Sequence, residues 1–177
     1  TSTDVSHYAG QLERSYENGV GGVRLRAPML HVHTIAAGGG SVCAFEDGRY
    51  RVGPRSAGAD PGPACYGKGG PLTVTDCNLI TGKLRSAFFP RIFGPDGAGS
   101  VDEAAARRAL AGVAASMRAA GVEPPAPEQL ADDLIRVACE AMARAIKRVS
   151  TQRGHNVDDH VLCCFGGAAG QHACLVA

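Results

Sequence analysis

Hydrophobic and polar positions fall into two regimes along this chain. Up to about residue 99 apolar residues come in short runs or alternate with polar ones, the period of a half-buried strand. From residue 100 they recur every three or four positions, the period of a helix. In the first regime Val20–Leu25 and Met29–Ala37 read as strands, Leu30, Val32, Thr34 and Ala36 alternating with His31, His33, Ile35 and Ala37. Val42–Phe45 and Arg49–Gly53 flank Asp47-Gly48, a dipeptide that favours a tight hairpin turn. Leu72–Asp76 resumes as a strand. The intervening Pro54–Pro71 holds too much Gly and Pro for a helix interior or a central strand. It has few flexible Ser or charged residues, and Cys65 and Tyr66 can pack inward. It therefore reads as an ordered loop around a site.

In the second regime Ser100-Val-Asp-Glu103 reads as a capping box opening a helix to about Ala120. Its face is Leu110, Val113, Ala114 and Met117, and Gly121 is its stop. A longer helix runs from about Pro127 to Gln152 on Leu130, Leu134, Val137, Ala138, Ala141, Ala145, Ile146 and Val149. Arg144, Lys147, Arg148 and Arg153 suit its C-terminal end through the macrodipole and read as a solvated helix end. Val161–Phe165 is an unbroken apolar run, read as a short buried strand. Gly166–Gly170 then turns the chain into a helix starting near Gln171. The whole reads as α/β: a strand-rich part over 1–99 and a helical part over 100–177.

Composition narrows the function. Hydrophobic residues are 45% and charged residues 20%, enough apolar material for a core. The net charge is +1 with no basic block, which argues against nucleic acid as partner. No apolar run is long enough to span a membrane. The seven cysteines are odd in number, and their spacing fits neither a zinc site nor a disulfide framework. Buried, reduced thiols in a cytoplasmic setting are the expectation. Both ends of the sequence read as cut, so a fragment of a longer polypeptide is expected.

Three stretches carry candidate chemistry. Gly166, Gly167 and Gly170 follow an apolar run and precede a helix start, where backbone N–H groups suit a nucleotide or another anion; a tight turn packed for its own sake is the alternative. Gly38, Gly39, Gly40 and Ser41 form either a sharp bend or a backbone cradle for phosphate or substrate. Thr1, Ser2, Thr3 and Asp4 offer hydroxyls for phosphate oxygens and a carboxylate for Mg²⁺, or are simply a solvated end. His31 and His33 would share one strand face and could hold a metal only with a third ligand from elsewhere. Asp76 is either a site carboxylate or a turn cap. His172, in a first helical turn, is disfavoured as a cation and either caps or packs.

Thr1–Val5, Thr34–Ser41, Val52–Tyr66, Thr73–Asn78 and Phe165–Cys174 together resemble the hydantoinase A/5-oxoprolinase family, in order and at similar spacing. Phe88–Pro95 and Gly166–Cys174 look most like its 5-oxoprolinase branch. The resemblance implies part of an actin-like, Hsp70-like ATPase lobe with a mixed β-sheet and flanking helices, two such lobes clamping ATP. It makes Thr1–Asp4 the tail of a phosphate loop, with Asp4 near Mg²⁺, and Gly166–Gly170 the adenosine-side loop. There Ala169 stands where the family usually has glycine. His33, Asp76 and Asp4 are the catalytic expectations. The implied chemistry is ATP-dependent opening of a cyclic amide such as 5-oxoproline or a hydantoin. The implied partners are the first lobe of the same polypeptide and a hydantoinase B-like subunit or domain. ATP-dependent ketone carboxylation and a non-catalytic truncated fragment are the alternatives.

Overall fold

The structure is a computed structural model that describes residues 2–177, with the backbone alone at Val20. Its strands form four two-stranded antiparallel ribbons. β1 (Thr3–Val5) pairs with β6 (His33–Ile35), and β2 (Arg14–Ser15) pairs with β5 (Met29–Leu30). β3 (Asn18–Val20) pairs with β4 (Val23–Leu25), and β7 (Ser41–Glu46) pairs with β8 (Arg49–Ser56). The mixed sheet expected for the lobe is not formed among the described residues; every ladder here is local or bridges residues 3–35. The Asp47-Gly48 turn is where the dipeptide placed it, both residues having positive φ.

Two expected strands take another form. Val20–Leu25 is interrupted by Gly21-Gly22 and makes the β3–β4 hairpin. Leu72–Asp76 gives only one bridge, Val42 to Thr73, before α1 (Val74–Ile80) begins. The cause is local: Thr73 and Asp76 form a capping box, and a cap satisfying free N–H groups outweighs a short apolar run. α2 (Glu103–Ala119) starts two residues later than read, capped in place of Ser100 by Asp102, whose Oδ1 accepts from Ala105 N at 2.9 Å. Asp102 N also donates to Cys65 O at 2.7 Å, so the helix start is tied to the Gly-Pro loop.

α3 (Pro127–Val149) buries Leu130, Ala131, Leu134, Ile135, Ala138, Cys139, Met142, Ala145 and Val149. The buried face is therefore rotated from the expected one: Ile135, Cys139 and Met142 are inside, while Val137 and Ile146 are only half-buried. α1 lies between α2 and α3 and supplies Val74, Cys77 and Ile80 to their shared core with Leu110 and Met117. A short 3-10 turn over Thr151–Arg153 ends α3 at Gly154.

Val161–Phe165 is not a buried strand. Val161 is 94% exposed and Phe165 88%, and no described strand pairs with the run. An apolar segment without a ladder partner stays extended, because its backbone groups then need water. The helix after it is short, α4 (Ala173–Val176). Cys43, Cys65, Cys77 and Cys139 are buried thiols as expected, but Cys163, Cys164 and Cys174 are exposed. Burial pushes the Cys65 thiol well above its ordinary value. No described helix is long and apolar enough to cross a membrane.

Candidate functional site

The loop after β6 is built from close approaches. Gly38, Gly39 and Gly40 are buried. Ser41 Oγ accepts from Gly38 N at 2.9 Å and closes the bend on itself. Gly39 O accepts twice from the first turn of α1, from Thr75 N at 2.8 Å and Thr75 Oγ1 at 3.0 Å. A Cβ on Gly39 would lie 2.8 Å from Thr75 Oγ1 and 3.5 Å from the Ala168 Cβ. Only glycine fits there without displacing Thr75. The same measurement shows that the second glycine loop lies against the first.

Thr3 joins this seam from the other side. Its Oγ1 donates to Ala37 O at 2.5 Å, one residue before Gly38. Thr3, Gly38–Ser41 and Ala168 thus adjoin one another. Thr1 lies outside the described residues. Gly166, Gly167 and Gly170 are exposed, and a Cβ on any of them would touch nothing within 4 Å. Gly166 has φ +97°. These glycines are free of packing duties toward the rest of the chain.

The three expected catalytic groups do not meet. In the β1–β6 ribbon Asp4 faces Thr34, while Thr3 and Val5 face Ile35 and His33. Alternation puts Asp4 on the outer, exposed face, where it accepts from Thr34 Oγ1 at 2.6 Å. His33 turns to the inner face. It lines a groove of about 350 Å³ with Ala36, Ala37, Arg144 and Arg148. The two guanidiniums are one helical turn apart and have no ion-pair partner among the described residues. They were read as a solvated helix end; the register that turns His33 toward them is set by a pairing across 30 residues, which no local spacing reveals.

Asp76 is placed where no substrate reaches. It is fully buried and accepts from Ala64 N (3.1 Å), Cys65 N (2.7 Å), Thr73 N (2.8 Å) and Thr73 Oγ1 (2.8 Å). The turn-cap reading is therefore the one the geometry supports. Asp76 holds the Gly-Pro loop against α1, and the loop is tight enough that a Cβ on Gly70 would lie 1.8 Å from Gly62 O. His31 and His33 do not act as a pair either. The chain breaks between β5 and β6, and His31 turns instead toward Glu13 and Arg153.

His172 packs. It is 1% exposed, with Nε2 3.3 Å from Asn78 Nδ2 and Nδ1 3.7 Å from Cys139 Sγ. Burial first, and the charge of Lys83 second, hold its pKa below the ordinary value. The amide of Asn78 donates to Gln171 Oε1 at 2.8 Å, which fixes the C-terminal side of the exposed glycine loop. Asn78 Oδ1 is buried without a partner, a polar atom on the seam that sequence reading did not single out.

Comparison with known proteins agrees with this architecture. The 5-oxoprolinase of Dictyostelium discoideum is 44% identical over 181 residues, taking in 100% of this chain and 14% of that protein. Caprolactamase subunit alpha of Pseudomonas jessenii is 40% identical over 156 residues, 87% of this chain and 21% of that protein. The crystal structure of the ATP-dependent caprolactamase from that organism matches with a TM-score of 0.81 at 37% identity, covering 99% of this chain and 24% of that chain. The nucleotide-free structure of acetone carboxylase shares the fold, with a TM-score of 0.68 at 20% identity over 88% of this chain and 21% of that one. The fold is thus part of a hydantoinase-type, actin-like ATPase lobe, and the chain spans 14% of the length of the 5-oxoprolinase it matches. The family described as hydantoinase/oxoprolinase matches over residues 1–177, and the chain belongs to it.

Proposed function

We propose that this chain supplies the ATP-binding portion of an ATP-dependent enzyme that opens a cyclic amide of the 5-oxoproline, hydantoin or lactam type. The observation that carries this reading is the shared seam. Thr3 is tied to Ala37, and Gly39 lies against Ala168, so a phosphate-loop tail and two glycine loops adjoin. In this reading the exposed backbone at Gly166, Gly167 and Gly170 contacts the nucleotide, and Gly38–Ser41 shapes the floor beneath it. Asp4, on the open face of the ribbon, holds Mg²⁺, usually through water.

The chemical logic is that of an unreactive electrophile. A cyclic amide is resonance-stabilised, and transfer of a phosphoryl group to its oxygen turns that oxygen into a leaving group. The protein then contributes positioning and stabilisation of charge on the transferring phosphoryl group. The His33–Arg144–Arg148 groove adds positive charge beside the strand that feeds the glycine loop. A first lobe of the same polypeptide and a hydantoinase B-like subunit or domain complete the enzyme, in the cytoplasm.

The test is nucleotide titration of the chain joined to its first lobe, with Gly167→Val beside the unmodified protein. Loss of ATP affinity at an unchanged melting temperature is expected; unchanged affinity removes the loop assignment. Phosphate release stimulated by 5-oxoproline or a lactam, and not by acetone with bicarbonate, identifies the substrate class.

A further inference from the structure

A second constellation lies away from the glycine seam, where residues 7–13 meet residues 153–160. Three of the six histidines gather around one carboxylate, that of Glu13, and a fourth, His160, joins them through His7. His7 Nδ1 is 3.2 Å and His155 Nε2 3.4 Å from Glu13 Oε1. His31 Nδ1 is 4.0 Å from Oε2, the oxygen that Arg153 also holds. His7 is 7% exposed, so the cluster is not a casual surface grouping.

When the His7 and His160 rings are both neutral, hydrogen bonding decides which nitrogen of each carries the proton. His160 Nδ1 lies 2.7 Å from Asn156 O, which can only accept, so Nδ1 carries the proton. Neutral His160 then presents a lone pair at Nε2. That atom is 2.8 Å from His7 Nε2, which must therefore be the donor. Neutral His7 is left with a lone pair on Nδ1, aimed at a carboxylate oxygen 3.2 Å away. Two acceptors so placed repel each other unless a cation sits between them.

We infer that His7 Nδ1, Glu13 Oε1 and His155 Nε2 form a binding site for a divalent ion of the zinc or cobalt class, with water in the fourth position. The three ligand atoms lie within 4.8 Å of one another. A tetrahedral ion with bonds of about 2.0–2.1 Å has ligand edges of about 3.3 Å, the separation found on both sides of Oε1. Two imidazoles and one carboxylate suit a borderline ion. The His160–Asn156 chain orients His7 as an outer partner orients a metal-binding imidazole. The rings of His7 and His155 stack at 3.9 Å, so His155, with a side chain 35% exposed, rotates to bring Nε2 into line with the ion. The bound ion ties the N-terminal segment to the end of α3.

The exposed Cys163 and Cys164 are competing ligands, so the measurement uses a Cys163→Ser/Cys164→Ser background, stripped with chelator. Titration with Co²⁺ should give the visible absorption of a tetrahedral nitrogen–oxygen site, saturating at one equivalent and displaced by Zn²⁺. Zn²⁺ should raise the melting temperature, and chelator should reverse the rise. Glu13→Gln and His155→Gln should each weaken Co²⁺ binding at least tenfold. His155→Gln, at the more open position, keeps the test valid if substitutions at His7 do not fold. Absence of the visible band, or an affinity in both variants unchanged from the parent, overturns the site. So does nitrogen NMR showing His7 doubly protonated in the presence of saturating Zn²⁺, since the cation between His7 and Glu13 is then a proton.

Discussion

The two glycine loops that meet at Ala168 are alike in composition and opposite in physical role. Gly38–Gly40 is buried, and its middle residue is held to glycine by Thr75. Gly166, Gly167 and Gly170 are exposed and have open space where a side chain would be. In the first loop glycine lets backbone meet backbone inside the chain. In the second no packing contact requires it; Gly166 is held to glycine by its φ of +97°, and at Gly167 and Gly170 a ligand is left as the reason in our functional reading. Glycine content alone does not distinguish these uses; what a Cβ would strike does.

The contrast can be broken by substitution, and the largest effect belongs to the residue that frames the packed side. Asp76→Ala leaves the buried N–H groups of Cys65 and Thr73 without an acceptor, Ala64 N keeping Pro71 O, and each costs about 1–3 kcal/mol. Urea denaturation should show a loss of at least about 2 kcal/mol. Next is Gly39→Val, which forces Thr75 Oγ1 aside and should cost about 1–3 kcal/mol by the same measurement. Gly167→Val, by comparison, should stay within about 0.5 kcal/mol of the parent. Equal losses at Gly39 and Gly167 would erase the distinction between the loops.

A pH series sharpens the comparison further. His172 anchors the far side of the exposed loop, and its folded pKa is depressed by burial and Lys83. Above the ordinary histidine value of 6.5 both folded and unfolded forms are neutral, and the full stability is present. As pH falls below that value the unfolded chain takes up a proton that the folded chain resists. Stability then drops until the folded pKa is passed. His172→Asn should flatten this part of the profile in thermal melts while leaving the Gly39 bend intact. The smallest effect expected is on the basic groove: Arg144→Ala should change stability by no more than about 0.5 kcal/mol while weakening an anion bound beside His33.

Much of the helical half was legible because its signals are local. Pro127, the three-to-four-residue apolar spacing and Gly154 lie close enough in sequence to define α3, although the buried face fell on Ile135, Cys139 and Met142. The Asp47-Gly48 hairpin was legible for the same reason. Leu72–Asp76 was misread because Thr73 and Asp76 act on the backbone rather than through hydrophobic period. Val161–Phe165 was misread because burial of a strand depends on neighbours, and five apolar residues carry no information about them. At the site, the glycine loops were visible and their proximity was not. Likewise Asp4 and His33 were visible, but their placement on opposite faces follows from the β1–β6 register. Arg144 and Arg148 looked like an ordinary helix end until that register turned His33 toward them.

The β1–β6 ribbon is one backbone thick, and it acts as a partition. A single small molecule cannot touch both the Asp4 carboxylate and the His33 imidazole without passing around its edge. In our functional reading an ion at Asp4 and an anion beside Arg144 and Arg148 would occupy separate rooms sharing one wall. The peptide link between His33 and Thr34 belongs to both, so a pull on Thr34 from one room shifts the furniture of the other.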